Sequence, residues 1–168
     1  MNTKKIVHCA MYLILGILLP IAFHSVNMAG NIFLPMHIPV LLCGCGLGPK
    51  AGLLVGICTP LLSSLLTGMP PILPMLPLMM GELASYGLSI GLLYRKYHLG
   101  IYQSLCSSLL VGRVVSIGLC YVLTLLLHWT IPLAKFSMGI FVYGFPGIVL
   151  QLVIIPLLVQ RMESINFT

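Results

Sequence analysis

Acidic residues are almost missing from this sequence of 168 residues, in which Glu82 and Glu163 are the only two. Reactions that depend on paired carboxylates, and centres that hold two metal ions, need more than one acidic side chain in the same place. A phosphate-binding loop of the form G-x-x-x-x-G-K-[ST] is also missing, so the chain does not hydrolyse ATP by that route. These absences predict that the chain is not an enzyme.

Metal-binding and nucleic-acid-binding patterns are missing as well. The six cysteines form no C-x-x-C pair and no Cys/His cluster with zinc spacing, and they lie almost wholly inside apolar segments. We therefore interpret them as small packing residues and predict no metal site and no cofactor bound by this chain. The net charge of +6 comes from scattered basic residues rather than one basic stripe, which argues against a nucleic-acid partner.

Apolar residues dominate what is present. They make up 60% of the chain and charged residues only 6%, against about 25% charged residues in an ordinary soluble domain. The apolar runs do not alternate with polar residues as the strands of a membrane β-barrel do. The pattern predicts an all-α membrane protein with a single domain, 1–168, and six transmembrane helices at about 6–23, 36–48, 50–66, 74–94, 101–127 and 137–159.

The distribution of basic residues predicts how these helices are oriented. Cytoplasmic loops carry an excess of Lys and Arg. The segments 24–35 and 67–73 carry neither, and only Lys135 departs from the pattern. The basic residues that define the cytoplasmic side are Lys4, Lys5, Lys50, Arg95, Lys96 and Arg161. Both termini are therefore expected in the cytoplasm, which implies an even number of spans.

Two ionisable residues lie at membrane depth, Glu82 in the fourth span and Arg113 in the fifth. A charge at the centre of a bilayer costs about 2.5–3.5 kcal/mol on insertion scales, so such residues usually face the interior and pair. The two stand at comparable depths on antiparallel neighbours, which favours an ion pair. Either the pair only fixes the register of two helices, or it faces a cavity with Tyr86, one turn from Glu82, and binds polar groups of a substrate.

Hydrogen-bonding side chains gather in the outward half of the predicted bundle, below an uncharged polar loop at 24–31. They are His37, Thr59, Ser63, Ser64, Thr67, Tyr143 and Gln151. A few polar groups among apolar and aromatic walls are typical of a small-molecule pocket.

Small residues also recur at intervals of four, which lets helices approach closely. These are Gly48, Gly52 and Gly56, and then Ser108, Gly112, Ser116 and Cys120.

Three segments resemble the substrate-binding S components of energy-coupling factor (ECF) vitamin transporters. They are Phe33-Leu-Pro-Met-His-Ile-Pro-Val-Leu-Leu42, the following Gly-Leu-Gly-Pro-Lys50-Ala-Gly, and Thr59-Pro-Leu-Leu-Ser-Ser-Leu-Leu-Thr-Gly-Met-Pro-Pro71. The resemblance implies a six-helix protein of the prokaryotic plasma membrane that captures a vitamin or vitamin precursor from outside. It also implies a transmembrane coupling subunit and two cytoplasmic ATPases as partners, which use the ATP.

The resemblance also implies where the substrate lies, near the outer face and under the loop between the first two helices. Carried over by position, it indicates these substrate-binding residues: Asn27, Asn31, His37, Ser63, Glu82, Tyr86, Arg113 and Gln151. One feature departs from the family pattern, because Ala10 is followed four residues later by Ile14 and not by a second alanine. This departure leaves open which face docks the coupling subunit.

Two rival functions and the identity of the vitamin stay open at this point. The chain could be an autonomous secondary carrier or small channel, although it has no second membrane carboxylate for ion coupling and no visible inverted repeat. It could also be a non-transporting assembly subunit. A free Arg113 would suit a carboxylate such as that of pantothenate or a folate, whereas an Arg113 neutralised by Glu82 would suit a neutral heterocycle.

Overall fold

The chain folds as a bundle of helices. The computed structural model describes residues 3–24, 35–127 and 133–166, which contain no strand. The helices in these ranges are α1 Thr3–His24, α2 His37–Leu47, α3 Pro49–Thr67, α4 Met75–Ile90, α5 Ile101–Leu127 and α6 Leu133–Asn166, and a π-helical turn, Gly91–Lys96, continues α4. Five are long and apolar enough to cross a membrane, and α2 is a shorter apolar helix. The predicted all-helical fold is confirmed and each predicted span overlaps a helix, although the helix at the second predicted span has only 11 residues.

Glycine and proline set the boundaries of α2 and α3. Gly48 has a φ of 96°, which residues with a side chain rarely adopt, and it separates the two helices. Pro49 then takes the first position of α3, where the missing N–H is not needed. Gly68 ends α3 in the left-handed conformation, with its N–H donating to the carbonyl of Ser64 over 2.9 Å.

The short helix α2 lies at the centre and packs against α1, α3, α4 and α6. Eight of its 11 residues are buried, as expected for a helix that is apolar on every side. Its C-terminal carbonyls, those of Cys45 and Gly46, accept hydrogen bonds from the Arg95 guanidinium of the π-helical turn. A cation at this position also complements the partial negative charge of a helix C-terminus.

Helices α3 and α4 form the most extensively packed pair, and glycines make the close approach possible. A Cβ on Gly56 would lie 2.5 Å from the carbonyl oxygen of Leu83, and a Cβ on Gly52 would overlap the carbonyl of Gly87. The two backbones therefore touch, as in other membrane helix pairs built on small residues. Of the predicted glycine series, Gly52 and Gly56 lie at this interface, whereas Gly48 forms the break before α3.

The second series of small residues lies on the face of α5 that packs against α4. Gly112 contacts the Tyr86 ring so closely that a Cβ there would overlap it. Ser108, Ser116 and Cys120 are buried along the same face. The outer surfaces of α1, α5 and α6 expose large apolar side chains instead, and such surfaces suit a lipid environment.

Candidate functional site

Three side chains, each from a different helix, lie around one carboxylate oxygen of Glu82 inside the apolar bundle. Glu82 and Tyr86 lie one turn apart on α4, and the Tyr86 hydroxyl donates to Glu82 Oε1 over 2.7 Å. Arg113 of α5 donates from Nη1 to the same oxygen, also over 2.7 Å. His37, the first residue of α2, places Nε2 3.8 Å from this oxygen, and its ring centroid lies 5.3 Å from that of Tyr86. We call these four residues the polar cluster.

The four side chains of the polar cluster are buried. Glu82 and Arg113 are each 6% exposed, His37 is 2% exposed and Tyr86 is fully buried. A single charge at such a position is strongly unfavourable, whereas a hydrogen-bonded pair is tolerated because each charge compensates the other. The ion pair that the sequence favoured is therefore present, and it adds no net charge to the core.

Several buried polar atoms around this pair have no hydrogen-bond partner among the described residues. They are both ring nitrogens of His37, Nε of Arg113 and both amide atoms of Gln151. A buried polar atom without a partner costs about 1–3 kcal/mol, and native proteins rarely leave several of them together. The polar cluster and Gln151 thus have spare hydrogen-bonding capacity that a small molecule can use.

Gln151 reaches this core from α6, which packs against α5 and α2. The side chain is 1% exposed. Ile148 and Ile155, about one turn to either side, pack with the apolar cluster that contains Tyr86. Because residues three and four apart share a helix face, the Gln151 amide is directed toward the same part of the core.

Ser63 lies apart from the polar cluster. Ser63 is buried at the end of α3, where its hydroxyl donates to the carbonyl of Met69 over 2.8 Å. Since Gly56 lies opposite Leu83 in this antiparallel pair, Ser63 stands about 9 Å along the helix axis from the level of Glu82. Asn27 and Asn31 lie outside the described residues. The structure therefore brings together four of the eight predicted residues, namely His37, Glu82, Tyr86 and Arg113, and buries Gln151 on the face of α6 that packs with the apolar cluster around Tyr86.

Ser116 is a polar residue of this region that sequence reasoning treated as packing only. It is 1% exposed, and its hydroxyl has no partner in the described part of the chain. Because Gly112 of α5 lies against Tyr86 and Leu119 lies against Gly81, Ser116 falls at the level of Glu82. Its position three residues after Arg113, on the same helix face, is the sequence signal that could have indicated this placement.

Sequence reasoning also missed a match to the G-x-S-x-G pattern, Gly87-Leu-Ser89-Ile-Gly91. In hydrolases this pattern forms a sharp turn between a strand and a helix. Here it lies at the end of α4, and the Ser89 hydroxyl donates to the carbonyl of Ser85 over 2.5 Å. The serine is engaged within its own helix and does not have the environment of a nucleophile.

Within the described ranges, no group of three or more His, Cys, Asp or Glu side chains is arranged to hold a metal ion. An open groove on α6 is almost wholly apolar and faces outward. It is lined by Phe145, Pro146, Val149, Leu150, Val153 and Ile154, none of which was predicted to contact substrate.

A family model described as "ECF transporter, substrate-specific component" matches residues 4–159. This range contains the polar cluster, Ser116 and Gln151. Comparison with curated proteins and with solved structures finds no match. The match covers most of the chain, and the apolar helices agree with it. The chain therefore belongs to the family of ECF transporter substrate-specific components and is a multi-pass protein of the cell membrane.

Proposed function

We propose that this chain captures a vitamin or vitamin precursor from outside the cell and delivers it inward together with a transmembrane coupling subunit and two cytoplasmic ATPases. Family membership supports a substrate-binding role in transport. The partners supply the ATP hydrolysis for which this chain has no phosphate-binding loop. The chain itself acts as a binder and not as an enzyme.

The observation that carries the proposal is the group of buried polar atoms without protein partners around Glu82 and Arg113. A pair that served only to hold two helices together would not need unpartnered groups of His37 and Gln151 beside it. These groups have a use if a ligand completes their hydrogen bonds. We therefore assign Glu82, Arg113, His37, Tyr86 and Gln151 to the substrate site.

The length of α2 supports access from the outer side. It has 11 residues, whereas its neighbour α3 has 19. Counted from their junction at Gly48, α3 continues about 12 Å beyond the level at which α2 begins. In the orientation predicted from the basic residues, with both termini in the cytoplasm, that end of α3 faces outside. Asn27 and Asn31 of the preceding segment stay predicted ligand contacts on this side.

Delivery is proposed to occur by reorientation of the whole bundle within the ATPase-driven complex. A body with few charges at membrane depth can move relative to the bilayer without carrying many ions through hydrocarbon. The ion pair of Glu82 with Arg113 is buried and mutually compensated. The apolar outer surface can then exchange lipid contacts at little cost.

The first experiment measures ligand binding to the purified chain in nanodiscs across a panel of vitamins and precursors. Gln151→Leu is expected to weaken binding of the ligand identified by about tenfold or more, because it removes two hydrogen-bonding groups. Gln160→Leu, an exposed glutamine of the same helix, is the matched control and should bind normally. Failure of the wild-type chain to bind any member of the panel would contradict the proposal.

The second experiment measures uptake into proteoliposomes. The chain together with its coupling subunit and ATPases should accumulate the ligand when ATP is present, and the chain alone should not. Uptake by the chain alone under a proton or sodium gradient would instead identify an autonomous carrier. Normal ATP-driven uptake without this chain would identify an accessory subunit.

A further inference from the structure

The charge balance of the polar cluster restricts what it can bind. Glu82 and Arg113 share a hydrogen bond of 2.7 Å, so the guanidinium is already compensated by a carboxylate in the same buried place. The formal charges of Glu82 and Arg113 sum to zero. An anionic ligand would add a second negative charge beside Glu82, and such like-charge contacts in a buried site are strongly unfavourable.

The unpartnered groups provide both donors and acceptors. The Gln151 amide offers one acceptor oxygen and an NH₂ donor, both ring nitrogens of His37 are available for hydrogen bonds, and Arg113 Nε donates. Ser116, level with Glu82 and also without a described partner, can do either. A carboxylate only accepts hydrogen bonds, so it would leave the acceptors of this set unsatisfied.

We infer that the site selects an uncharged ligand whose donors and acceptors stand side by side, as in a carboxamide or a neutral nitrogen heterocycle, and that Ser116 is one of its contacts. This inference rests on the proposed function and narrows it to a substrate class. It excludes ligands whose recognised group is a carboxylate. It also adds to the site a residue that sequence reasoning had assigned to packing.

The experiment compares acids with their uncharged counterparts on the wild-type chain in nanodiscs by isothermal titration calorimetry. The pairs are nicotinate with nicotinamide, biotin with its primary amide, lipoate with lipoamide and pantothenate with pantothenol. Riboflavin and hydroxymethylpyrimidine are added as neutral heterocycles. Titrations at pH 8 stay above the ordinary titration range of histidine. We expect the ligands that bind to be uncharged. Each should bind with about 100-fold or more higher affinity than its acid counterpart, because the ligand carboxylate of the acid would lie beside the negative charge of Glu82.

Two variants test the assigned residues with the ligand found in this way. Ser116→Ala should weaken binding about fivefold through the loss of one hydrogen bond, while the unfolding temperature stays that of wild type. Ser107→Ala, at an exposed serine of the same helix, is the matched control. Glu82→Gln leaves Arg113 without a counter-charge, so it should shift the ratio of acid to amide affinity toward the acid.

The outcomes separate this inference from the proposed function. Tighter binding of the acids than of their uncharged counterparts would overturn the inference and leave the capture function intact. Unchanged affinity in Ser116→Ala would overturn the assignment of that residue. An absence of binding across the whole panel would overturn the proposed function and this inference with it.

Discussion

Single and double substitutions of Glu82 and Arg113 separate the contribution of this ion pair to stability from its contribution to ligand binding. Arg113→Met removes the 2.7 Å hydrogen bond to Glu82 Oε1 and leaves a carboxylate that is 6% exposed with only the Tyr86 hydroxyl as a donor at 2.7 Å. Glu82→Met leaves a buried guanidinium in the same way. Removing one partner of a buried ion pair costs about 3–5 kcal/mol, whereas replacing both with apolar residues of similar volume is often close to neutral.

These free energies translate into measurable unfolding temperatures. In a chain of this size 1 kcal/mol corresponds to about 2–4 °C, so each single variant is expected to unfold about 10 °C below wild type. The double variant should recover most of that loss. Its ligand binding, in contrast, should be absent, because both charged groups of the site are gone.

A thiol-reactive fluorophore can follow the unfolding, because Cys43, Cys45 and Cys120 are buried in the folded protein. Arg161→Met, at an exposed arginine of α6, controls for the loss of a positive charge and should unfold like wild type. Single variants as stable as the double variant would refute the claim that the two charges compensate each other in a buried place. A double variant that binds ligand normally would refute the location of the site.

Two further predictions concern the packing that positions the polar cluster. Gly56→Ala places a methyl group 2.5 Å from the Leu83 carbonyl. It should lower the free energy of unfolding by about 1–2 kcal/mol, since the overlap outweighs the higher helix propensity of alanine. Gly118→Ala, with no atom within 4 Å of the added methyl group, is the control and should leave the unfolding temperature unchanged or raise it. Equal effects of the Gly56 and Gly118 substitutions would contradict the close contact of Gly56 with Leu83. Arg95→Gln should lower the free energy of unfolding by about 1 kcal/mol, because it removes the cation at the C-terminal end of α2. Arg161→Gln is the control and should unfold like wild type. Equal unfolding temperatures of the two variants would show that the contact of Arg95 with the α2 carbonyls contributes no stability.

Hydropathy and length were enough to place the helices. Each predicted span overlaps an observed helix, because a continuous apolar segment in lipid satisfies its backbone groups only as a helix or a closed barrel. The shortness of the second span was also visible in the sequence, where Pro35 and Pro49 bracket it. The pairing of Glu82 with Arg113 followed from two opposite charges at similar depth on antiparallel neighbours.

The sequence did not determine which polar side chains form hydrogen bonds within the protein and which are left without a partner. Ser63 and Gln151 looked alike as polar residues of the outward half, yet the Ser63 hydroxyl bonds to the Met69 carbonyl, while the Gln151 amide has no partner among the described residues. Ser116 looked like one more small residue at a helix interface, and only the register of α5 against α4 places it at the level of Glu82.

The sequence by itself thus determined the membrane class and the number and order of the helices, because these depend on composition and on the length of each apolar segment, and it favoured an ion pair between Glu82 and Arg113. The tertiary structure decided which polar atoms remain unpartnered and which lie side by side. That outcome depends on the rotation of each helix about its own axis, which is set by contacts such as Gly56 with Leu83 and Gly112 with Tyr86 between segments distant in sequence.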